Sequence, residues 1–181
     1  NRKPALDLVV GRYDLSSKER LFLYRCVHSD EEVELVRSKL TENPKELAVD
    51  GYNVALTLIS VKEGEAYECD DGFFRDLNLG KRKGDPRIFD ALKEVCAFLK
   101  SRGIDATVFL DYQVSGSGEL AARVRDLGCK ALAVKNADKE SLISRMVVAS
   151  NDFVVLTKAE RVYNLLKDMG YKPPSFASLF S

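Results

Sequence analysis

The stretch LAVDGYNVALTL, residues 47–58, decides how the chain reads. Leu47, Ala48 and Val49 form an apolar, strand-like run that stops at Asp50; Gly51, Tyr52 and Asn53 follow, and from Val54 to about Val61 the apolar residues suffice for a helix. A carboxylate thus closes a strand, with a glycine behind it that permits a close turn of the backbone.

The same texture continues toward the C-terminus. Residues 86–103 predict an amphipathic helix with Pro86 near its start and Gly103 at its end, and 105–111 a buried strand. A helix over 118–128, a strand over 130–135, a short helix after Asp138, a strand over 146–150 and a last helix over 153–170 follow. This alternation predicts a mostly parallel sheet with helices on both faces. Upstream, residues 4–46 read as helices, interrupted at Gly11 and restarted at Ser16 or Ser17, with Ser29 capping a further helix whose first turn holds Asp30, Glu31 and Glu32. The expected organisation is a helical segment, 1–46, before an α/β domain, 47–181. The tail YKPPSFASLF reads as irregular chain docked by its aromatic residues.

Composition narrows the class. With 45% hydrophobic and 31% charged residues, 181 residues bury one real core. No apolar run approaches the ~20 residues of a membrane helix, and the N-terminus lacks the order of a signal peptide, so a cytoplasmic location and no membrane partner are expected. Cys26, Cys69, Cys96 and Cys129 form no CxxC pair, and His28 is the only histidine, so neither zinc nor a disulfide is expected and the thiols read as core residues. Net charge is zero, but its distribution is uneven. Residues 47–74 hold six acids against Lys62 alone, and 75–102 hold eight bases against four acids. An acidic block beside a basic one suits a metal-carboxylate site next to a phosphate track, although alternating surface charge produces similar counts.

In an open parallel sheet, ligands bind outside the carboxyl ends of the strands. Asp50, Asp111 and Asp152 follow strands directly and Asp138 lies three residues past another, so all four are expected on one edge. Asp138 and Asp152 read equally well as helix caps. Four carboxylates in one cleft repel one another, and a divalent cation with oxygen ligands, Mg²⁺ or Mn²⁺, is the usual remedy. Asn53 is placed to orient the Asp50 carboxylate or bind water.

VDGYNV (49–54) resembles the VDGxN opening of PIN-like and NYN nucleases, and ASNDFVVL (149–156) resembles the SGDxDF segment of the NYN branch. The chain looks closer still to an uncharacterised prokaryotic family that joins a short helical N-terminal region to such a domain. That likeness runs from about residue 5 to 165 through LVVGRYDLSSKERLFLYRCVHSDEE, DGYNVALTL, CDDGFFRD, SGSGELA and VASNDF. The resemblance implies a PIN-like fold and a divalent-metal-dependent ribonuclease. Asp50, Asp111 and Asp152 would hold metal, Asp138 and Asp71 would support it, and Asn53 would assist. SNDF carries one acid where NYN proteins show two, and YQVSGSGE after Asp111 is no familiar metal motif. A catalytically inactive RNA-binding or assembly module therefore stays open, as does a metal-dependent phosphatase.

Two further segments bear on ligands. SGSGEL (115–120) opens a helix where Ser115 and Ser117 could hold a phosphate, or where Ser117 is simply the N-cap; it is no P-loop, lacking GKS or GKT. RDLNLGKRKGDPR (75–87) offers Arg75, Lys81, Arg82, Lys83 and Arg87 as a basic path for single-stranded RNA, with Tyr52, Phe73 or Phe74 to stack a base. The first two helices echo a helix-turn-helix, but RNA is the expected nucleic acid and DNA is not. Dimerisation through the N-terminal helices stays open.

Overall fold

The computed structural model describes residues 2–77, 83–175 and 178. Three helices lead: α1 (Arg2–Tyr13), α2 (Ser17–Cys26) and α3 (Asp30–Ser38). α2 and α3 each begin in a capping box, Ser16 with Glu19 and Ser29 with Glu32, in which each side chain accepts the other residue's unpaired N–H. α1 runs straight through Gly11, where an interruption was expected, and buries none of its residues.

The chain then alternates through β1 (Glu46–Asp50), α4 (Gly51–Lys62), a hairpin of β2 (Ala66–Glu68) and β3 (Phe74–Asp76), α5 (Ile88–Ser101), β4 (Asp105–Asp111) and α6 (Ser117–Asp126). β5 (Lys130–Val134), α7 (Ala137–Ile143), β6 (Val147–Ala149), α8 (Phe153–Lys158) and α9 (Leu165–Asp168) complete it. Four strands form one sheet in the order β5-β4-β1-β6, and every pairing in it is parallel. The architecture is therefore α/β, with a parallel sheet flanked by helices.

Strand alternation splits the core in two. Leu47 and Val49 of β1, Val108 and Leu110 of β4, and Val147 and Ala149 of β6 face α4, α5 and α6, whose Leu58, Leu92, Val95, Leu99 and Val124 are buried against them. Each such side chain contributes about 1.5–3 kcal/mol. The intervening Ala48 and Phe109 meet Ala137 of α7, while Val148 meets Val155 and Leu156 of α8 and Val36 of α3. α3 thus ties the helical segment to the second face.

Three expectations need correction. Residues 153–170 are not one helix, because the backbone around Val162 pairs elsewhere: Val162 N–H donates to Lys39 O, its carbonyl accepts from Thr41, and Tyr163 N–H donates to Val148 O. Tertiary pairing overrides the helical spacing there. The antiparallel β2–β3 hairpin was not anticipated, its strands being three residues each. Cys26 and Cys69 form a disulfide, brought together because Asp70 N–H donates to Cys26 O at the end of α2; Cys96 and Cys129 are buried thiols.

Candidate functional site

Asp50 precedes α4 but does not cap it with its side chain. Its carboxylate is 4% exposed and accepts a hydrogen bond from Ser150 Oγ at 2.8 Å, at the end of β6. Gly51 starts α4 hard against β4: a Cβ there would lie 2.8 Å from Phe109 O and 2.7 Å from Leu110 Cδ2. Only glycine lets the helix leave the strand at this point. One turn into α4, Asn53 Oδ1 accepts from Asn151 N–H at 2.8 Å, so the ends of β1 and β6 are braced across the strand pair.

Asp138 and Asp50 lie close enough that each carboxyl group acts on the other's proton affinity. Burial first, then the charge of Asp138, pushes Asp50 well above the ordinary carboxylate range. Asp138 is raised too, again first by the desolvation of its carboxyl group at the cavity wall, with Asp152 and Asp111 adding repulsion and Lys83 opposing it. Asp138 stands in the first turn of α7, but the cap is Asn136, whose side chain accepts from Lys139 N–H. Asp152 does cap α8, its Oδ1 accepting from Val154 and Val155 N–H at 2.8 and 3.2 Å. Asp111 is engaged on both oxygens, with Ala137 N–H at 2.9 Å and Lys83 Nζ at 2.9 Å.

Of the remaining candidates, Arg75 lines the same cavity as these acids, but it and Asp71 are engaged with each other. Asp71 does not fit a metal-ligand role: both its oxygens are taken by the Arg75 guanidinium at 2.9 and 2.6 Å, and both residues are buried. Arg75 for the same reason is not a free phosphate contact; its Nε donates to Asn151 O at 2.7 Å, so the pair buttresses the brace at Asp50. Arg87 is turned to Asp85 and Glu63 and does not line the cavity described below. Neither do Ser115, which is exposed, and Ser117, which is buried; Gly116 rather than Ser117 is the N-cap of α6. Phe73 and Phe74 are 1% exposed and belong to the core. Lys81 and Arg82 lie outside the described residues.

Asp50, Asn53, Asp111, Asp138 and Asp152 all line one cavity of about 1070 Å³. Tyr52 lines it as well, 2% exposed, with Lys83 Nζ 5.8 Å from its ring centre. Lys135 and Lys139, which the sequence did not single out, stand on the same wall. So does His28, whose Nδ1 is 2.7 Å from Asp70 Oδ1 and whose ring stacks on Phe153 with centres 3.7 Å apart. Ser150 and Asn151 were also missed; they sit directly before Asp152 in the segment already flagged.

Among the described residues, no three His, Cys, Asp or Glu side chains are grouped to hold a metal ion. The five-acid ligand set expected from the sequence is therefore not assembled. The Asp50–Asp138 pair is a smaller, all-oxygen donor set, and a pair of carboxylates completed by waters is how Mg²⁺ is commonly bound. No described helix is long and apolar enough to cross a membrane.

The fold and site define a class: a parallel α/β domain with a carboxyl-rich cavity at the carboxyl edge of its sheet, behind a short helical segment. The chain belongs to the family described as a domain of unknown function, DUF5616, whose model matches residues 39–168; a protein family of unknown function, DUF434, matches residues 1–39. Over 171 residues it is 35% identical to the uncharacterized protein MJ0935 of Methanocaldococcus jannaschii, covering 87% of this chain and 81% of the relative. No solved structure matches it significantly.

Proposed function

We propose that the chain hydrolyses RNA phosphodiester bonds with the help of Mg²⁺ or Mn²⁺ held by Asp50 and Asp138, with Asp152 beside them. The observation that carries this reading is the pair of neighbouring carboxyl groups of Asp50 and Asp138, under the charges of Asp152 and Asp111, lining one large cavity. Like charges held this close raise one another's proton affinity, and a cation relieves that repulsion. When bound, such an ion lowers the pKa of its water and offsets charge on a phosphate. RNA as the substrate rests on the likeness of VDGYNV to NYN nucleases.

The chain's own residues divide the remaining work. Ser150 and Asn53 hold the Asp50 carboxylate and its neighbouring strand in place. Lys83, Lys135 and Lys139 draw a polyanion into the cavity. Lys83 also neutralises Asp111, so the acids do not repel the phosphate unopposed.

A second reading, a PIN-like RNA-binding or assembly module without catalysis, is favoured by the engagement of Asp111 with Lys83 and of Asp152 as a cap. One experiment separates the two. A mixed pool of single-stranded and hairpin RNA is incubated with Mn²⁺, Mg²⁺ or EDTA, alongside Asp50→Asn. Metal-dependent cutting that disappears in the variant supports the hydrolase. Retained RNA binding without cutting by folded wild-type protein supports the module.

A further inference from the structure

The helical segment, matched by a different family model from the α/β domain, reaches into the same cavity: Arg2, Tyr24, Arg25 and His28 line it together with the acids. Arg2, Tyr24 and His28 also line a second, shallower groove of about 290 Å³ that runs onto α1 and α2. They therefore form the ridge over which the cavity continues outward. Tyr24 is 44% exposed, a large aromatic left in solvent, and the Arg2 guanidinium lies 5.6 Å from its ring centre.

His28 is held by polar contacts as well as by packing. Its side chain is 1% exposed, its backbone N–H and Nδ1 both engage the Asp70 carboxylate, and its ring is stacked on Phe153, the residue after Asp152. With Nδ1 taken, Nε2 is the ring nitrogen left for a ligand, and among the described residues it has no protein partner. A carboxylate that fixes one imidazole nitrogen sets the tautomer and aims the other. An aromatic ring beside a cation is the composition that single-stranded nucleic acid uses, bases stacking on the ring and phosphates meeting the cation, and an imidazole nitrogen left as an acceptor suits a ribose hydroxyl.

We propose that Tyr24 and His28 form a nucleotide subsite by which the helical segment binds the RNA strand leaving the acidic cavity, Tyr24 stacking a base and His28 Nε2 accepting a hydrogen bond from a ribose 2′-hydroxyl. The proposal rests on the RNA reading above and extends the site to the N-terminal helices.

The test uses a short fluorescent single-stranded RNA, with EDTA present so that nothing is cut. Binding is read by anisotropy, and the ring of the single histidine is followed by ¹H–¹³C NMR. Tyr24→Ala should weaken binding about tenfold, within the range of one lost base stack. RNA should shift the His28 ring signal, and His28→Asn, which keeps a donor near the Nδ1 position for Asp70 but removes Nε2, should weaken binding several-fold while thermal melting shows the variant folded. His28→Gln, which restores a polar group near Nε2, should recover part of the loss. RNA that binds with an unmoved histidine signal and unchanged affinity for Tyr24→Ala overturns the subsite and leaves the RNA reading standing. Absence of any RNA binding overturns both.

Discussion

Asp50, at the end of β1, and Asp138, in the first turn of α7, bring together two carboxyl groups whose positions are 88 residues apart in the chain. Two carboxylates in that relation hold a proton more tightly than either alone, or hold a cation in its place.

The pair gives stability a pH dependence of definite sign. Because burial and Asp138 raise Asp50 above its ordinary 3.8 in the folded protein, the folded state binds the proton more strongly than the unfolded one. The resulting stabilisation is present in acid and declines as pH rises through the folded value. Without divalent metal, Asp50→Asn should flatten that decline and melt above wild type at neutral pH, at about 2–4 °C per kcal/mol recovered. Melting curves at mildly acidic and mildly alkaline pH check this; a variant less stable than wild type throughout would mean that the Ser150 hydrogen bond outweighs the repulsion.

Gly51→Ala should destabilise the fold by about 1–3 kcal/mol or more, the penalty of overpacking, since the added methyl meets the Phe109 carbonyl, which β-pairing holds fixed. Urea unfolding measures it. A neutral result would show that α4 can lift off β4 without loss.

Breaking the buried Asp71–Arg75 pair from one side should be severe. Asp71→Asn leaves the Arg75 guanidinium short of its partner, a loss of about 3–5 kcal/mol, and loosens Asn151 through Arg75 Nε. Replacing both residues with apolar ones should recover most of the stability without restoring the brace. Denaturant unfolding of the single and double variants decides whether the pair acts as stated.

Removing the Cys26–Cys69 link, which closes a separation of 43 residues, should lower stability by about 2–4 kcal/mol. Cys26→Ser compared with wild type under non-reducing conditions measures it, and a free thiol count of four in the native protein would contradict the link.

Much of this fold was legible because its signals are local. The LAVD run, the Asp50–Gly51 turn, the caps at Ser16 and Ser29 and the spacing of 86–103 each act over a few residues, and each element stands where it was read. Signals that depend on distant partners were not legible. FVVLTKAERVYNLL has helical spacing, yet Val162 finds its backbone partners at Lys39 and Thr41. CDDGFFRD offers three acids and an arginine, and nothing local says that Asp71 faces Arg75, Asp70 faces His28 and Asp76 faces Arg25. The convergence of Asp50, Asp111, Asp138 and Asp152 followed from topology alone, because parallel strands put their carboxyl ends on one edge. What topology could not give was their division into a neighbouring pair, a cap and a lysine partner.

The most direct test of the central claim is calorimetric titration of Mn²⁺ into wild-type protein, Asp50→Asn and Asp138→Asn, each first shown to be folded. The account predicts binding to wild type that both substitutions abolish, with a matching rise in wild-type melting temperature as metal is added. Wild-type protein that takes up no Mn²⁺, or variants that bind it as well as wild type, would contradict the assignment of Asp50 and Asp138 as its ligands.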